Sequence, residues 1–263
     1  MSEPTSGNGL VLEIANAGIW FGGVRALDDV TCHVRERELC GLIGPNGAGK
    51  TTLFNCITRL YGLNSGDIRF CGTDITAQRK RDIVRLGIAR TFQNLGLYSQ
   101  MTVRENVLIG THHARKDGFF TPLYRPALSK AEEERSADWC REVMHELDIE
   151  GVADRRSGDL PYGTLKRVEV ARALAARPRL LLLDEPAAGL TQSEVMEFGE
   201  MLRRLRERFS IAILLVEHNM RLVMSLCERI IVLHLGKKLA EGTPAEIQRD
   251  DSVVRAYLGE AET

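Results

Sequence analysis

The stretch GPNGAGKTT, residues 44–52, constrains the fold of this chain more than any other feature of the sequence. It matches the pattern G-x-x-x-x-G-K-[ST], directly after an apolar segment and before a segment that reads as a helix. Glycines at these positions let backbone N–H groups converge on phosphate oxygens, and the start of the helix adds its positive dipole end. The sequence therefore predicts a nucleoside triphosphate site formed by Gly44, Pro45, Asn46, Gly47, Ala48, Gly49, Lys50, Thr51 and Thr52.

Two side chains of this stretch have the chemistry that a triphosphate requires. Lys50 is expected to reach the β- and γ-phosphates, and the hydroxyl of Thr51 is expected to bind Mg²⁺. A dinucleotide-binding fingerprint is excluded, because no third glycine completes G-x-G-x-x-G from Gly47. The remaining structural alternative is a glycine-rich turn that carries a surface lysine.

The stretch RLLLLDEP supplies a matching acidic strand. Residues 180–183 are apolar without alternation, which is typical of a strand covered on both faces. Asp184, at the end of this strand, could hold Mg²⁺ through water, and Glu185 could polarise the attacking water. The alternative is an ordinary pair of surface carboxylates at a strand end.

Strand and helix patterns alternate along the chain. Strands are predicted at residues 10–14, 30–34, 39–43 and 68–71, with a helix at 50–60. Between residues 101 and 177 the pattern is helical, and Ser129 with Glu132 fits a capping box that would begin a helix. Strands then return, with a helix at 193–209. This order predicts an α/β core interrupted by a helical subdomain.

We therefore divide the chain into three parts. The ATP-binding core is expected at residues 1–100 and 178–245, the helical subdomain at 101–177, and a tail helix at 246–263.

Charge and hydropathy narrow the classes of partner. The formal net charge of −1 provides no global basic field, which disfavours nucleic acid as the main partner. No apolar run approaches the roughly 18 residues of a membrane span. The beginning MSEPTSGNG lacks the charged-then-apolar layout of a signal peptide. Any association with a membrane is therefore expected to depend on a protein partner.

Four further motifs, in chain order, resemble those of the ATP-binding subunits of ABC transporters. Gln93 in ARTFQN stands at the Q-loop glutamine, and LPYGT, residues 160–164, stands at the signature motif. AAGLTQ, residues 187–192, resembles the D-loop, and His218 in LLVEHNM matches the switch histidine.

The aromatic that stacks on adenine in this family has two candidates here. Phe21 lies 29 residues before Lys50 at the matching place, and its neighbour Trp20 is a rival for the role.

The resemblance implies a P-loop NTPase fold, with a RecA-like core, an antiparallel β subdomain and an inserted α-helical subdomain. It implies that Gln93 touches Mg²⁺ and senses the membrane subunit, that Glu185 is the general base, and that His218 contacts the γ-phosphate. Two ATPase subunits then pair head to tail, and the signature of one closes over the ATP of the other. The signature residues are Leu160, Pro161, Tyr162, Gly163 and Thr164.

The signature and its helix carry two further expectations. Pro161 and Thr164 depart from the usual serine and glutamine, so the ATP site that this signature completes is expected to be the weaker of two. The helix LKRVEVARALA is expected to turn Leu165, Val168, Val170 (or Ala171) and Leu174 inward, with Lys166 and Arg167 outward.

More closely, the chain resembles the ATPases of branched-chain amino acid importers, and among them the larger ATPase of the pair. The stretches that carry this likeness are FGGVRALDDV, GLIGPNGAGKTTLFN, GIARTFQN, DEPAAGL and GTPAEIQRDDSVVRAYLGE. The likeness implies ATP and Mg²⁺ as cofactors, a second ATPase subunit that is identical or different, two transmembrane permeases, and an extracytoplasmic solute-binding protein that acts indirectly. It implies a cytoplasmic protein that is peripheral on the inner face of the cell membrane.

Three alternatives remain open from the sequence. The same ATPase chemistry could serve urea, short amides or lipid export. The chain could be a soluble DNA-repair or translation ATPase of the same superfamily, although it has one cassette and no sustained heptads. It could also be an ATP-binding regulator without turnover, which Glu185 and His218 argue against.

Overall fold

Two β-sheets form the frame of the protein in a computed structural model that describes residues 9–91, 96–113 and 126–258. The first sheet is antiparallel, with the order β2-β1-β4-β5. Its strands are β1 (Leu10–Phe21), β2 (Val24–Arg35), β4 (Ser65–Phe70) and β5 (Thr73–Asp74). Buried and more exposed positions alternate at residues 12–15 of β1 and 30–35 of β2, as expected for a sheet with one face on the core.

The second sheet is mostly parallel and has the order β10-β9-β3-β8-β7-β6. Its strands are β3 (Leu39–Ile43), β6 (Ile88–Arg90), β7 (Leu180–Asp184), β8 (Ala212–Val216), β9 (Arg229–His234) and β10 (Lys237–Gly242). Only β10, at the edge, pairs antiparallel with its neighbour among these strands. Every residue of β3, β7 and β8 is buried, which explains their continuous apolar sequences.

The helices cover both faces of the second sheet. They are α1 (Lys50–Ile57), α2 (Lys80–Leu86), α3 (Val103–Ile109), α4 (Pro126–Glu146), α5 (Tyr162–Leu174), α6 (Gln192–Phe209), α7 (Met220–Leu226), α8 (Pro244–Arg249) and α9 (Asp251–Leu258). One cluster of buried side chains joins one face of the sheet to α3, α4, α5 and α6. A second cluster joins the other face to α1 and the antiparallel sheet. The predicted α/β architecture with its antiparallel sheet is confirmed.

Two local predictions about helix ends are wrong. Helix α4 begins at Pro126, so Ser129 lies inside the helix and cannot cap it. Proline suits a first helical position, because its missing N–H would have no partner there in any case. In the tail, two helices replace the single predicted one. Asp250 has an extended backbone, and its Oδ1 accepts the backbone N–H of Ser252 at 2.8 Å, which starts α9 anew.

Strand β1 continues to Phe21 and β2 begins at Val24, so both are much longer than the predicted strands at 10–14 and 30–34, and α1 ends at Ile57, short of residue 60. The division into core, helical subdomain and tail stays a prediction. Among the described residues, no helix combines the length and the apolar character needed to cross a bilayer.

Candidate functional site

The predicted phosphate loop, the two acids and the histidine lie at one edge of the parallel sheet. The loop of residues 44–49 follows β3, Asp184 ends β7, and His218 comes two residues after β8. Strand β8 lies between β3 and β7 and pairs with both in parallel register. The carboxyl ends of three neighbouring strands therefore bring the loop, the acids and the histidine to the same edge, where open α/β sheets bind ligands.

Two glycines of the loop, Gly44 and Gly49, are required by close backbone approach as well as by conformation. Gly44 has φ 150°, and a Cβ there would lie 2.1 Å from the carbonyl oxygen of Leu233. Gly49 has φ 105°, and a Cβ there would lie 2.7 Å from the carbonyl oxygen of Ala26. Any side chain at either position would collide with main-chain atoms, so the loop keeps a shape that only glycine allows.

Lys50 holds the loop closed. Its side chain is buried, with 6% exposure, and its Nζ donates to the carbonyl oxygens of Gly44 at 2.5 Å and Pro45 at 2.8 Å. Lys50 is also the first residue of α1, whose N-cap Gly49 has no side chain to cap the helix. Backbone N–H groups at the start of α1 and the Lys50 ammonium thus share one end of the helix. Together they form a cationic cradle that suits phosphate oxygens.

Asp184 is a buried carboxylate with one oxygen left over. The side chain is 1% exposed, and its Oδ2 accepts a hydrogen bond from Arg90 Nη2 at 2.7 Å. Its Oδ1 is buried and has no hydrogen-bond partner among the described residues. An unsatisfied carboxylate oxygen at this edge fits a water of a Mg²⁺ shell, since Mg²⁺ keeps several waters and uses few carboxylates.

Arg90 is a site residue that the sequence analysis missed. It ends β6, donates from Nη1 to Asn55 Oδ1 of α1 at 2.6 Å, and lies 5.5 Å from the ring centre of Phe54. It therefore ties the acidic strand to the helix that follows the loop. Arg90 lies three residues before Gln93 in GIARTFQN, but the spacing of the motifs gave no indication of its contacts.

Glu185 and His218 are brought together as a hydrogen-bonded pair. His218 Nε2 and Glu185 Oε1 lie 2.8 Å apart. Glu185 has φ 50°, which is uncommon for a residue with a side chain, and it follows directly after the last residue of β7. A carboxylate that orients a histidine beside a phosphate cradle is an arrangement suited to proton transfer.

The aromatic candidates are the last two residues of β1, next to the turn that leads into β2. Phe21 and Trp20 are each about half exposed. The ring of Phe21 meets Tyr61 edge to face, with ring centres 5.2 Å apart. Tyr61 was not predicted as a site residue, and its contact supports the Phe21 ring on one side.

The predicted signature lies at the start of α5. Leu160 is buried, Pro161 is the N-cap, and Tyr162 begins the helix. Pro161 cannot cap the helix with its side chain. The helix therefore presents backbone N–H groups at its first turn. Gly189 of the predicted D-loop lies against Tyr162, since a Cβ at Gly189 would come within 2.9 Å of the tyrosine ring.

The prediction that Lys166 points outward is wrong. Lys166 is 2% exposed, its Nζ lies 3.9 Å from Glu169 Oε2, and it lies 5.5 Å from the ring centre of Tyr162. A buried carboxylate one turn along the helix and an aromatic face offset the loss of water around its charge. Arg167 is partly buried and contacts Asp148 at 3.1 Å.

The inward face of α5 agrees with the prediction at most positions. Leu165 is partly buried, and the fully buried apolar residues are Val168, Val170, Ala171 and Leu174.

Two further observations concern the predicted metal site. Gln93 lies outside the described residues. Among the residues that the structure describes, no group of three or more His, Cys, Asp or Glu side chains could hold a metal by itself. Mg²⁺ bound together with a triphosphate usually takes part of its ligand set from phosphate oxygens and water.

Comparison with known proteins identifies the arrangement. Residues 27–188 match the family described as "ABC transporter", and residues 237–263 match "Branched-chain amino acid ATP-binding cassette transporter". The chain is 42% identical over 266 residues to the high-affinity branched-chain amino acid transport ATP-binding protein LivG of Salmonella typhimurium, covering 99% of this chain and 100% of LivG. It is 39% identical over 251 residues to BraF of Pseudomonas aeruginosa, covering 95% and 98%.

A lipid-system relative and a solved structure extend the comparison. The lipopolysaccharide export system ATP-binding protein LptB of Haemophilus influenzae is 35% identical over 250 residues, covering 95% of this chain and 98% of LptB. The ADP conformation of an ATP-binding cassette of an ABC transporter superposes with a TM-score of 0.84 at 31% identity, covering 95% and 99% of the two chains. The P-loop NTPase fold and the ATPase prediction are confirmed, and the chain therefore belongs to the ABC transporter family as one of its nucleotide-binding ATPases.

Proposed function

We propose that this ATPase is the energising subunit of an ABC importer for branched-chain or related amino acids. The observation that carries the chemistry is the contact of Glu185 with His218 at 2.8 Å, next to the phosphate cradle and Asp184. The cargo is supported by the family match at residues 237–263 and by the names of LivG and BraF.

In the proposed reaction each side chain has one task. Lys50 and the N–H groups of the loop hold the β- and γ-phosphates, and Glu185 accepts a proton from the attacking water. His218 keeps the Glu185 carboxylate oriented through Nε2. Phe21 stacks on the adenine. A catalyst of this kind acts mainly by positioning and by electrostatic stabilisation, which fits a site built from rigid strand ends.

Mg²⁺ would supply positive charge that neutralises the phosphates when it is bound. We propose that Thr51, Asp184 through water, and Gln93 hold it. The unsatisfied Oδ1 of Asp184 supports this assignment.

The role of Glu185 is tested by Glu185→Gln, which keeps the size of the side chain and removes the base. The variant should bind ATP with near wild-type affinity and lose at least about 100-fold in turnover. Glu207→Gln, at an exposed carboxylate of α6, is the matched control and should leave turnover unchanged. Brisk turnover by Glu185→Gln would assign the base to another group.

The partners are a second ATPase, which is identical or different, two permeases and, indirectly, a solute-binding protein. We propose that the two ATPases pair head to tail, with residues 160–164 of one closing over the ATP of the other. The uncapped first turn of α5 supports this, because its N–H groups favour an anion. The permeases would hold the chain on the cytoplasmic face of the membrane.

Pro161 and Thr164, which depart from the usual signature residues, provide a separate test of the proposed pairing. Pro161→Ser restores a hydroxyl at the N-cap and should raise the turnover of the assembled complex if this signature completes the weaker site. Unchanged or reduced turnover would contradict the weaker-site proposal.

Lipid export is the second candidate, because LptB is 35% identical over 95% of this chain. Purification of the complex that contains this chain would separate the two, since an importer brings permeases and a solute-binding protein. Uptake of radiolabelled leucine should then disappear on Lys50→Ala in whole cells. Normal leucine uptake together with a defect in envelope lipids would favour export.

A further inference from the structure

We infer that Glu217 is a positioning residue, whose buried side chain holds Glu185 and His218 in place for their contact. Glu217 lies one residue after β8 and directly before His218, and its side chain is 4% exposed. Nothing in the motifs of the sequence assigned it a role. The inference rests on the proposed roles of Glu185 and His218.

The Glu217 carboxylate joins the two segments that carry the pair. Its Oε1 accepts the backbone N–H of Ala187 at 2.7 Å, two residues after Glu185. Its Oε2 accepts the backbone N–H of His218 at 3.1 Å and lies 3.4 Å from the backbone nitrogen of Asn219. One side chain therefore spans the gap between the end of β7 and the end of β8, beneath the contact of Glu185 with His218.

Glu185 needs such support because its backbone is strained. A non-glycine residue at φ 50° persists only where the surroundings determine its conformation. The N–H of Glu185 donates to the carbonyl oxygen of Val216 at 2.9 Å, and the N–H of Ala187 donates to Glu217. The strained residue is thus held on both sides by two consecutive residues of the neighbouring chain segment.

The chemistry of the contacts requires a carboxylate at this position. All three partners of Glu217 are N–H donors, and an ionised carboxylate is an acceptor at both oxygens. Burial raises the pKa of Glu217, and the three backbone donors oppose that shift because they favour the charged form. A glutamine of the same size would turn its NH₂ group toward at least one N–H. The hydrogen bonds to one of the two chain segments would then be lost.

The test is Glu217→Gln in the full chain, in the assembly in which the wild type turns over ATP. Turnover at saturating ATP should fall by about 10- to 100-fold, because a misplacement of about 1 Å is enough for such a loss. The KM for ATP should change by less than about threefold, since the hydrogen bonds of Glu217 go to Ala187, His218 and Asn219 and not to the phosphate cradle. Glu38→Gln, at a buried carboxylate bonded to Arg229, controls for the loss of a buried charge and should keep normal turnover per folded molecule.

A double-mutant cycle with His218→Ala separates positioning from general destabilisation. If Glu217 acts through the pair, Glu217→Gln should cost little further turnover once His218 is removed, as measured by single-turnover hydrolysis. Additive losses, or normal turnover in Glu217→Gln alone, would overturn the inference. If Glu217→Gln does not fold, Glu217→Asp in the same cycle provides the measurement. Normal turnover in Glu185→Gln would instead remove the proposed base, which is a different failure.

Discussion

Two buried lysines show how differently the phosphate cradle and the signature helix are held together. Lys50 donates to the main-chain carbonyl oxygens of Gly44 and Pro45, whereas Lys166 lies between the side chains of Glu169 and Tyr162. Carbonyl oxygens are neutral partners, so phosphates can compete with them for Lys50. A carboxylate and an aromatic face hold Lys166 within its own helix. One lysine is therefore available for a ligand, and the other is committed to the fold.

The largest effect expected from this comparison is on catalysis at Lys50. Lys50→Met should reduce ATP turnover by at least about 100-fold, because a cation aimed at the transferring phosphate is lost. The free energy of unfolding should fall by only about 1 to 2 kcal/mol, because the buried carbonyl oxygens of Gly44 and Pro45 lose this donor. ATPase assays and urea unfolding measure the two quantities.

The exposed Lys80, at the start of α2, offers a matched control. Lys80→Met should change neither quantity. Turnover above a tenth of the wild-type rate in Lys50→Met would show that the cradle works without its lysine.

The opposite outcome is expected at Lys166. Lys166→Met should lower the free energy of unfolding by about 3 kcal/mol, because it removes one partner of a buried ion pair. Turnover per folded molecule should fall less than tenfold. Lys166→Met combined with Glu169→Leu should recover part of the lost stability, since neither member of the Lys166–Glu169 pair is then left buried without the other. Wild-type stability in Lys166→Met would restore the earlier prediction that this lysine faces solvent.

The same contrast explains which parts of the site could be predicted from sequence. The cradle depends on glycine positions and on a lysine at a fixed spacing, so its residues are visible in a single stretch. Asp184 and Glu185 follow an apolar run that marks a buried strand end. Lys166, by contrast, was predicted outward although its partners Glu169 and Tyr162 lie on the same helix. What buries that face of α5 is its tertiary packing, which helical periodicity does not encode.

Glu217 and Arg90 escaped the sequence analysis for a related reason. The contacts of Glu217 with Ala187, and of Arg90 with Asp184, join residues 30 and 94 positions apart. Strand order brings these residues together, and no local pattern states that order. The architecture of the two sheets was predictable as a class, whereas side-chain bonds across it required the coordinates.

A third buried cation, Arg229, can be compared with the two lysines through the pH dependence of the free energy of unfolding. Arg229 donates from Nε and Nη2 to the two oxygens of Glu38 at 2.7 and 2.8 Å. Burial acts to raise the pKa of Glu38, but the hydrogen bonds and charge of Arg229, together with the Arg35 N–H, outweigh it, and the pKa lies below its usual value. At neutral pH, Glu38→Gln should cost about 2 kcal/mol of unfolding free energy.

The sign of the pH effect follows from the lowered pKa. Glu38 stabilises the fold above the pKa of the unfolded chain and loses this contribution as the pH falls through its lower folded value. The stability difference between wild type and Glu38→Gln should therefore shrink below about pH 4.5. Urea unfolding at pH 7 and pH 4 measures it. A constant difference would mean that the pair does not titrate as a unit with folding.

The smallest expected effect comes from comparing an observed helix start, at Thr191 before α6, with a predicted one, at Ser129 in α4. Thr191 is the N-cap of α6 and accepts the Glu194 N–H, while Glu194 accepts the Thr191 N–H in return. The hydrogen bond from the Thr191 hydroxyl, together with that from its backbone N–H, holds the pKa of Glu194 below its usual value. Thr191→Ala should lower the free energy of unfolding by about 1 kcal/mol.

Ser129→Ala should leave stability unchanged or raise it by a few tenths of a kcal/mol, because Ser129 lies inside α4 and alanine is the better helix former. The two variants make the same kind of change at two sites that share the capping-box pattern. A loss of about 1 kcal/mol at Ser129 would mean that α4 begins there and not at Pro126. A capping-box pattern therefore stabilises a helix only where its Ser or Thr is the N-cap. The local sequence shows which residues could cap a helix, but not where the helix begins.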